Sequence, residues 1–170
     1  SSDLVLRTGM YQRVGVSRRT SVPLNVGRVD LDRGKVDAAV ADARRRSTSY
    51  NDGRQYLRQR LSEMAAGPRA MPVSAPAVDA LLERVWPNQT PQSCLRDLLA
   101  SRDRLLAACD EVDLRISEVT SLLREPADKL AREQWSDADV ALLDELDELI
   151  NGRRGEAYKH IVVDEAQDLS

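Results

Sequence analysis

An apolar repeat between Thr90 and Pro126 constrains the fold of this chain more than any other feature. Its apolar residues recur at alternating steps of three and four, and only Arg102 interrupts the series. The members are Leu95, Leu98, Leu105, Cys109, Val112, Ile116, Val119 and Leu123. This spacing predicts a single heptad-like helix of roughly 30 residues. Thr90 followed by Pro91 is typical of a helix start, and Pro126 ends the pattern.

Such a helix needs a helical partner, and residues 136–152 supply one, so the sequence predicts an antiparallel helical arm. Ser136 with Asp139 predicts the cap of this partner helix, and Asn151-Gly152 predicts its end. We expect its buried stripe to be Val140, Leu143, Leu146 and Ile150. Its acidic residues are expected to form a solvated face rather than a metal site: Asp144, Glu145, Asp147 and Glu148.

Three shorter helices are predicted earlier in the chain. The first follows Gly34 and places Val36, Ala39, Val40 and Ala43 on one face. The second begins near Asn51 or Asp52 as its cap and turns Tyr56, Leu57, Leu61 and Met64 inward. The third, residues 77–86, stops at Pro87.

Residues 4–32 show a different pattern, with β-branched residues at roughly alternating positions and glycines between the runs. The stretches "DLVLR", "YQRVGVS" and "VPLNVGRVDL" predict two or three short antiparallel strands. The fold class expected is therefore mainly α with a small β portion.

Composition limits the core and the environment of the chain. Phenylalanine is absent and aromatic residues make up only 4% of the sequence, so the core is expected to be mostly Leu, Val and Ala. Trp86 and Trp135 are expected to pack where elements meet. Cys94 and Cys109 show no metal-ligand spacing and are expected to be buried free thiols of a cytoplasmic protein. No apolar run approaches the roughly 20 residues of a membrane span, so no membrane contact is expected.

Charge divides the chain into two halves. Residues 1–70 hold 14 Lys/Arg and 7 Asp/Glu, whereas residues 71–170 hold 11 and 21. Such asymmetry indicates either two surfaces with different partners or two halves that attract each other. The arginines at 18, 19 and 44–46 could contact nucleic-acid phosphates, but without stacking aromatic residues nearby a solvated face is favoured.

The final stretch, "HIVVDEAQDLS", carries the clearest chemistry. Residues 161–163 form an apolar, β-branched run of the kind found in buried parallel strands, and Asp164 and Glu165 follow at its carboxyl end. Open α/β sheets bind ligands at that end of their strands. A carboxylate pair there suits magnesium-nucleotide chemistry, although an acidic turn after a strand is an equal alternative for "VVDE" alone.

The longer string "VDEAQD" resembles motif II, the Walker B element, of superfamily-one helicases of the UvrD/Rep type. The resemblance implies Asp164 as the ligand of Mg²⁺ bound to ATP, and Glu165 as the general base. It further implies that Gln167 and Asp168 link the nucleotide site to neighbouring motifs. His160, the single histidine, is expected to be structural.

The stretches "YNDGRQYLRQRL", "VWPNQTPQSCLRDLL" and "WSDADVALLDELDEL" look like the HelD group of RNA-polymerase-associated ATPases. That group carries a helical insertion in its first ATPase domain, which enters the polymerase channel and helps release nucleic acid. The resemblance implies a β/α segment at 1–66, a linker at 67–76, the insertion arm at 77–152 and the Walker B strand at 153–170. It implies bacterial RNA polymerase as the partner.

The chain has no G-x-x-x-x-G-K-[ST] phosphate-binding loop, so we expect no ATP hydrolysis by this segment alone. A rival interpretation is a DNA-translocating superfamily-one helicase, in which the basic N-terminal half grips nucleic acid. A third is a helical domain whose acidic string serves structure only.

Overall fold

The computed structural model describes residues 2–16, 23–110 and 115–153, and this part of the chain is mainly helical with one small sheet. The first half contains α1 (Ser2–Tyr11), β1 (Asn25–Val26), β2 (Val29–Asp30), α2 (Arg33–Arg46) and α3 (Tyr50–Ala66). The second contains α4 (Ala75–Val85), α5 (Pro91–Leu99), α6 (Arg102–Cys109), α7 (Ile116–Leu122), a 3-10 turn (Leu130–Arg132) and α8 (Asp137–Asn151). The predicted fold class, mainly α with a small β portion, is confirmed.

The first predicted strands are wrong, because residues 2–11 form the helix α1. Leu6 and Met10 lie one helical turn apart and are both buried, and α1 packs on α5, α6 and α8. A short stretch of apolar residues fits the periodicity of a helix as well as that of a strand. Here the packing of α1 on other helices favours the helix. The last predicted strand region does form a hairpin, with Val26 paired to Val29 and Gly27 in the left-handed conformation at φ 59°.

The predicted α2 is confirmed, including its buried face of Val36, Ala39, Val40 and Ala43. For α3, Leu57 and Leu61 are fully buried as expected, but the predicted caps are wrong. Ser49 caps this helix instead, because its Oγ accepts a hydrogen bond from the Asp52 amide at 3.2 Å.

The predicted single long helix is wrong. Within the described ranges 91–110 and 115–122 the chain forms three helices, α5, α6 and α7; α6 packs on both α5 and α7 instead of continuing one straight helix. The first break comes at Ala100 and Ser101, beside the interruption that Arg102 makes in the apolar series. The Ser101 side chain accepts a hydrogen bond from the Arg104 amide and so begins a new helix. The fold-back lets α6 pack against both α1 and α5.

The predicted α8 is confirmed at both ends. Ser136 and Asp139 form a reciprocal capping box, and Gly152 ends the helix at φ 83°. Its buried stripe is only partly as expected: Leu146, Leu149 and Ile150 are buried, Leu143 is half-buried, and Val140 is 50% exposed. The helix packs on α5, which confirms one predicted neighbour, and also on α1 and α3.

One hydrophobic core spans the residues on both sides of the loop at 67–74. Leu, Val and Ala dominate it, as composition predicted, and Trp86 and Tyr50 are its largest fully buried side chains. Trp135 is half-buried against it. Within the described ranges, no helix has the length and apolar character to cross a membrane.

Candidate functional site

The residues predicted to handle nucleotide all fall within 154–170, outside the described residues. These are Asp164, Glu165, Gln167 and Asp168, together with His160 and the Walker B strand. Their roles therefore stay predictions from the sequence. Elsewhere, the part of the chain that the structure describes holds no group of three or more His, Cys, Asp or Glu side chains arranged so that they could hold a metal ion.

The acidic face of α8 engages its own neighbours. Asp144 and Glu148 are exposed, whereas Glu145 and Asp147 are partly covered. Glu148 lies 3.5 Å from Arg153, and the Asn151 amide donates a hydrogen bond to Asp147 at 2.7 Å.

Two of the three consecutive arginines at 44–46 are paired within α2. Arg45 and Arg46 both donate to Asp42 Oδ1, at 3.0 and 2.9 Å, and the Tyr56 hydroxyl donates to Asp42 Oδ2 at 2.6 Å. The Tyr56 hydrogen bond, then those from Arg46 and Arg45, hold the pKa of Asp42 well below its usual range. Asp42 thus offsets one of the three positive charges at this end of α2.

Other arginines of the basic half pair with acids of the acidic half. Arg54 lies 2.8 Å from Glu83, and Arg58 donates to Asp79 at 2.6 Å, which joins α3 to α4. Arg13 lies 2.8 Å from Asp97. The charge asymmetry of the sequence therefore corresponds in part to two halves that attract each other.

Arg44 is placed differently from its two neighbours. Its guanidinium carbon lies 4.6 Å from the centroid of the Tyr11 ring, a cation–π arrangement. Tyr11, Tyr50 and Trp86 form an aromatic junction, with ring centroids 5.4 to 5.7 Å apart. The Tyr50 hydroxyl donates to the Pro87 carbonyl at 2.6 Å and accepts from the Gln89 amide at 2.9 Å.

A cavity of about 540 Å³ opens beside this arginine. It is bounded by α1, the turn between α2 and α3, α6 and α8. Its polar lining residues are Arg7, Thr8, Tyr11, Gln12, Arg44, Ser47, Thr48 and Ser49. A volume of this size accommodates a small metabolite.

Neither cysteine is placed for covalent chemistry. Cys94 and Cys109 are buried free thiols, as predicted. Burial raises the pKa of the Cys94 thiol to about 12, so it is protonated and weakly nucleophilic near neutral pH.

No protein-family model and no curated protein matches this sequence.

Sequence reasoning missed the separate environment of Arg44, because the three arginines were treated as one basic run. A signal was present: Asp42 lies three and four residues before Arg45 and Arg46, the spacing of helical ion pairs. Arg44 falls outside that spacing, and it follows the last residue of the buried stripe, Ala43.

Proposed function

We propose that this chain is a segment of a HelD-like superfamily-one ATPase that binds bacterial RNA polymerase and helps open it, releasing nucleic acid. Residues 77–152 supply the insertion arm, and Asp164 and Glu165 supply motif II. The observation that carries the proposal is the string "VDEAQD" at residues 163–168, which begins with the last residue of the apolar run 161–163. A cytoplasmic location follows from this partner.

In the complete ATPase, Asp164 would hold Mg²⁺ on ATP, and Glu165 would accept a proton from the attacking water. Gln167 would contact the nucleotide site. The phosphate-binding loop and its lysine must come from another part of that ATPase, because this chain contains no such motif. The segment alone is therefore proposed to act by contact with polymerase rather than by catalysis.

The charge arrangement supports a protein partner over a nucleic-acid partner. Non-specific DNA binding depends on cations that are available to neutralise phosphates. Arg45, Arg46, Arg54 and Arg58 are each bound to an acid of this chain. The number of basic residues in the first half is therefore larger than the number of cations available to bind phosphates.

The test measures binding of the labelled chain to purified bacterial RNA polymerase core, a DNA duplex and a single strand, at a low and a high salt concentration. We expect the chain to bind polymerase. We do not expect it to bind DNA in the manner of a phosphate-contacting protein, whose affinity falls steeply as salt rises. Glu165→Gln is the matched control, since contact through residues 77–152 does not require that carboxylate. DNA binding without polymerase binding would contradict the proposal and favour a DNA translocase, whereas failure to bind either would contradict independent action of the arm.

A further inference from the structure

Residues 115–133, which include α7 and the 3-10 turn, contribute little to the hydrophobic core. We refer to them as the strap, and the structure describes every residue in it. Val119 is the only buried residue of the strap, and Leu123 is half-buried against the core. Helix α5, by contrast, buries four of its nine residues. Apolar burial therefore holds the strap less firmly than it holds α5.

The apolar face of α7 is wider than the surface on which the helix packs. Ile116, Val119, Leu122 and Leu123 recur at the spacing of three and four residues that places side chains on one side of a helix. Val119 is buried, but Ile116 is 64% exposed and Leu122 is 41% exposed. Since the packing of α7 on α6 covers only part of this face, little apolar surface is newly exposed when α7 leaves its place.

An arginine of α5 attaches the second half of the strap to the helical body. Arg96 Nε lies 3.3 Å from the Glu133 carboxylate, and the Arg96 guanidinium also donates a hydrogen bond to the Ala127 carbonyl. The Ala127 amide donates to the same carboxylate at 3.0 Å. Residues 127–133 are therefore held on α5 mainly by hydrogen bonds to charged groups.

Arg124 makes a second attachment, from within the strap. Its guanidinium donates two hydrogen bonds to Asp139 in the first turn of α8, and its backbone amide donates to the Leu99 carbonyl of α5 at 3.0 Å. The Arg124 side chain is 41% exposed, so water screens the ion pair. An exposed pair of this kind weakens as the salt concentration rises.

A segment with few buried apolar contacts opens at a lower free energy than the whole protein unfolds. We propose that the strap detaches from α5, α6 and α8 as one unit while these helices stay folded. Detachment breaks both arginine attachments together, uncovers Val119 and presents the complete apolar face of α7. This inference concerns the chain alone and does not depend on the proposed function.

The test is native-state hydrogen exchange of the full chain, followed at single amides by NMR. The Arg124 amide reports detachment directly, because its acceptor lies on α5. We expect the amides of the strap to share one protection factor that is clearly lower than that of Leu57 and Leu61 in α3. Raising NaCl from about 0.1 M to about 1 M shortens the Debye length from about 10 Å to about 3 Å. It should speed exchange in the strap and leave α3 nearly unchanged.

Two variants remove one attachment each. Arg124→Gln and Glu133→Gln should each speed exchange throughout the strap about fivefold or more, without a matching change in α3. Arg58→Gln is the matched control, since it breaks a similarly exposed pair with Asp79 between α3 and α4. It should leave exchange of the strap unchanged. The wild-type measurement keeps the test valid if a variant fails to fold.

Three results would overturn the proposal. The first is exchange of the strap as slow as that of α3, which means that it opens only when the whole chain unfolds, or as fast as that of an unstructured peptide. The second is different protection in α7 and in residues 127–133, which indicates separate fraying rather than one unit. The third is equal acceleration of the strap by Arg58→Gln and Arg124→Gln, which indicates a loss of overall stability.

Discussion

The aromatic junction and the connection from α7 to α8 (residues 115–139) are held together by different forces. At the junction, Trp86 and Tyr50 are fully buried, and Gly53 lies directly against Trp86. In the connection, Val119 is the one fully buried apolar side chain of α7, and an ion pair replaces apolar contact. Arg124 donates two hydrogen bonds to Asp139, at 2.6 and 2.9 Å. We therefore expect the stability of the aromatic junction to depend on side-chain volume. We expect the stability of the connection to depend on the charges of Arg124 and Asp139.

The largest expected effect is that of Trp86→Ala. Removing this side chain leaves a cavity among α1, α3 and α4, and should lower the free energy of unfolding by about 3–5 kcal/mol. Urea unfolding followed by circular dichroism measures it. Trp135→Ala is the matched control, because this half-buried ring should cost clearly less. An equal loss of unfolding free energy for the two variants would contradict the greater dependence of the aromatic junction on side-chain volume.

Gly53→Ala tests the same junction from the opposite direction. A Cβ there would lie 2.6 Å from two ring carbons of Trp86, Cζ2 and Cη2, and 2.7 Å from Ser47 Oγ. We expect a loss of about 1–3 kcal/mol from overpacking, measured by the same unfolding assay. Gln55→Ala on the exposed face of α3 should change stability by less than about 0.5 kcal/mol.

A double variant sharpens this prediction. Trp86→Phe removes the ring atoms that a new Cβ would strike, so Gly53→Ala should cost less in that background than alone. Independent, additive losses would show that the contact between Gly53 and Trp86 does not set the cost.

Asp139→Asn tests the charged connection through pH. The Arg124 hydrogen bonds, and then those from Ser136, lower the pKa of Asp139 to about 2. A folded pKa below the unfolded value means that the ionised carboxylate stabilises the protein above about pH 4, and that this contribution disappears as pH falls toward 2. We expect Asp139→Asn to lower the free energy of unfolding by about 1–2 kcal/mol at pH 7. The loss stays this small because Arg124 is 41% exposed and water screens the pair. At pH 3 the loss should be smaller.

Unfolding free energies at pH 7, 4 and 3 check this. Asp42→Asn serves as comparison, since the pKa of Asp42 is also lowered but by groups within α2 and α3. A loss for Asp139→Asn that does not change with pH would assign its role to shape rather than charge.

The smallest effect is expected at Ile116, which is 64% exposed. Ile116→Ser should change the free energy of unfolding by less than about 0.5 kcal/mol. Val119→Ala, on the buried side of the same helix, should cost about 1.5–2 kcal/mol for two lost methyl groups. A large loss at Ile116 would mean that α7 is covered on both sides.

Helix caps and buried helix faces could be predicted, because they depend on residues close together in sequence. Features that depend on packing between distant elements could not. The Ser136–Asp139 cap and the buried face of α2 follow from spacing within one helix. Helix α1 could not be told from a strand, because the burial of Leu6 and Met10 depends on distant helices. The helix break at Ala100 and Ser101 depends likewise on packing, because α6 folds back onto α1 and α5. Arg44 was grouped with Arg45 and Arg46, since its partner Tyr11 lies far away in sequence.

Hydrogen–deuterium exchange of the chain, alone and mixed with RNA polymerase core, tests the central proposal most directly. We expect slower exchange within residues 77–152 on mixing, strongest where α7 exposes Ile116 and Leu122, and no change in α2. Slower exchange confined to α2, or no change anywhere in 77–152, would contradict the assignment of this segment as the polymerase-contacting arm.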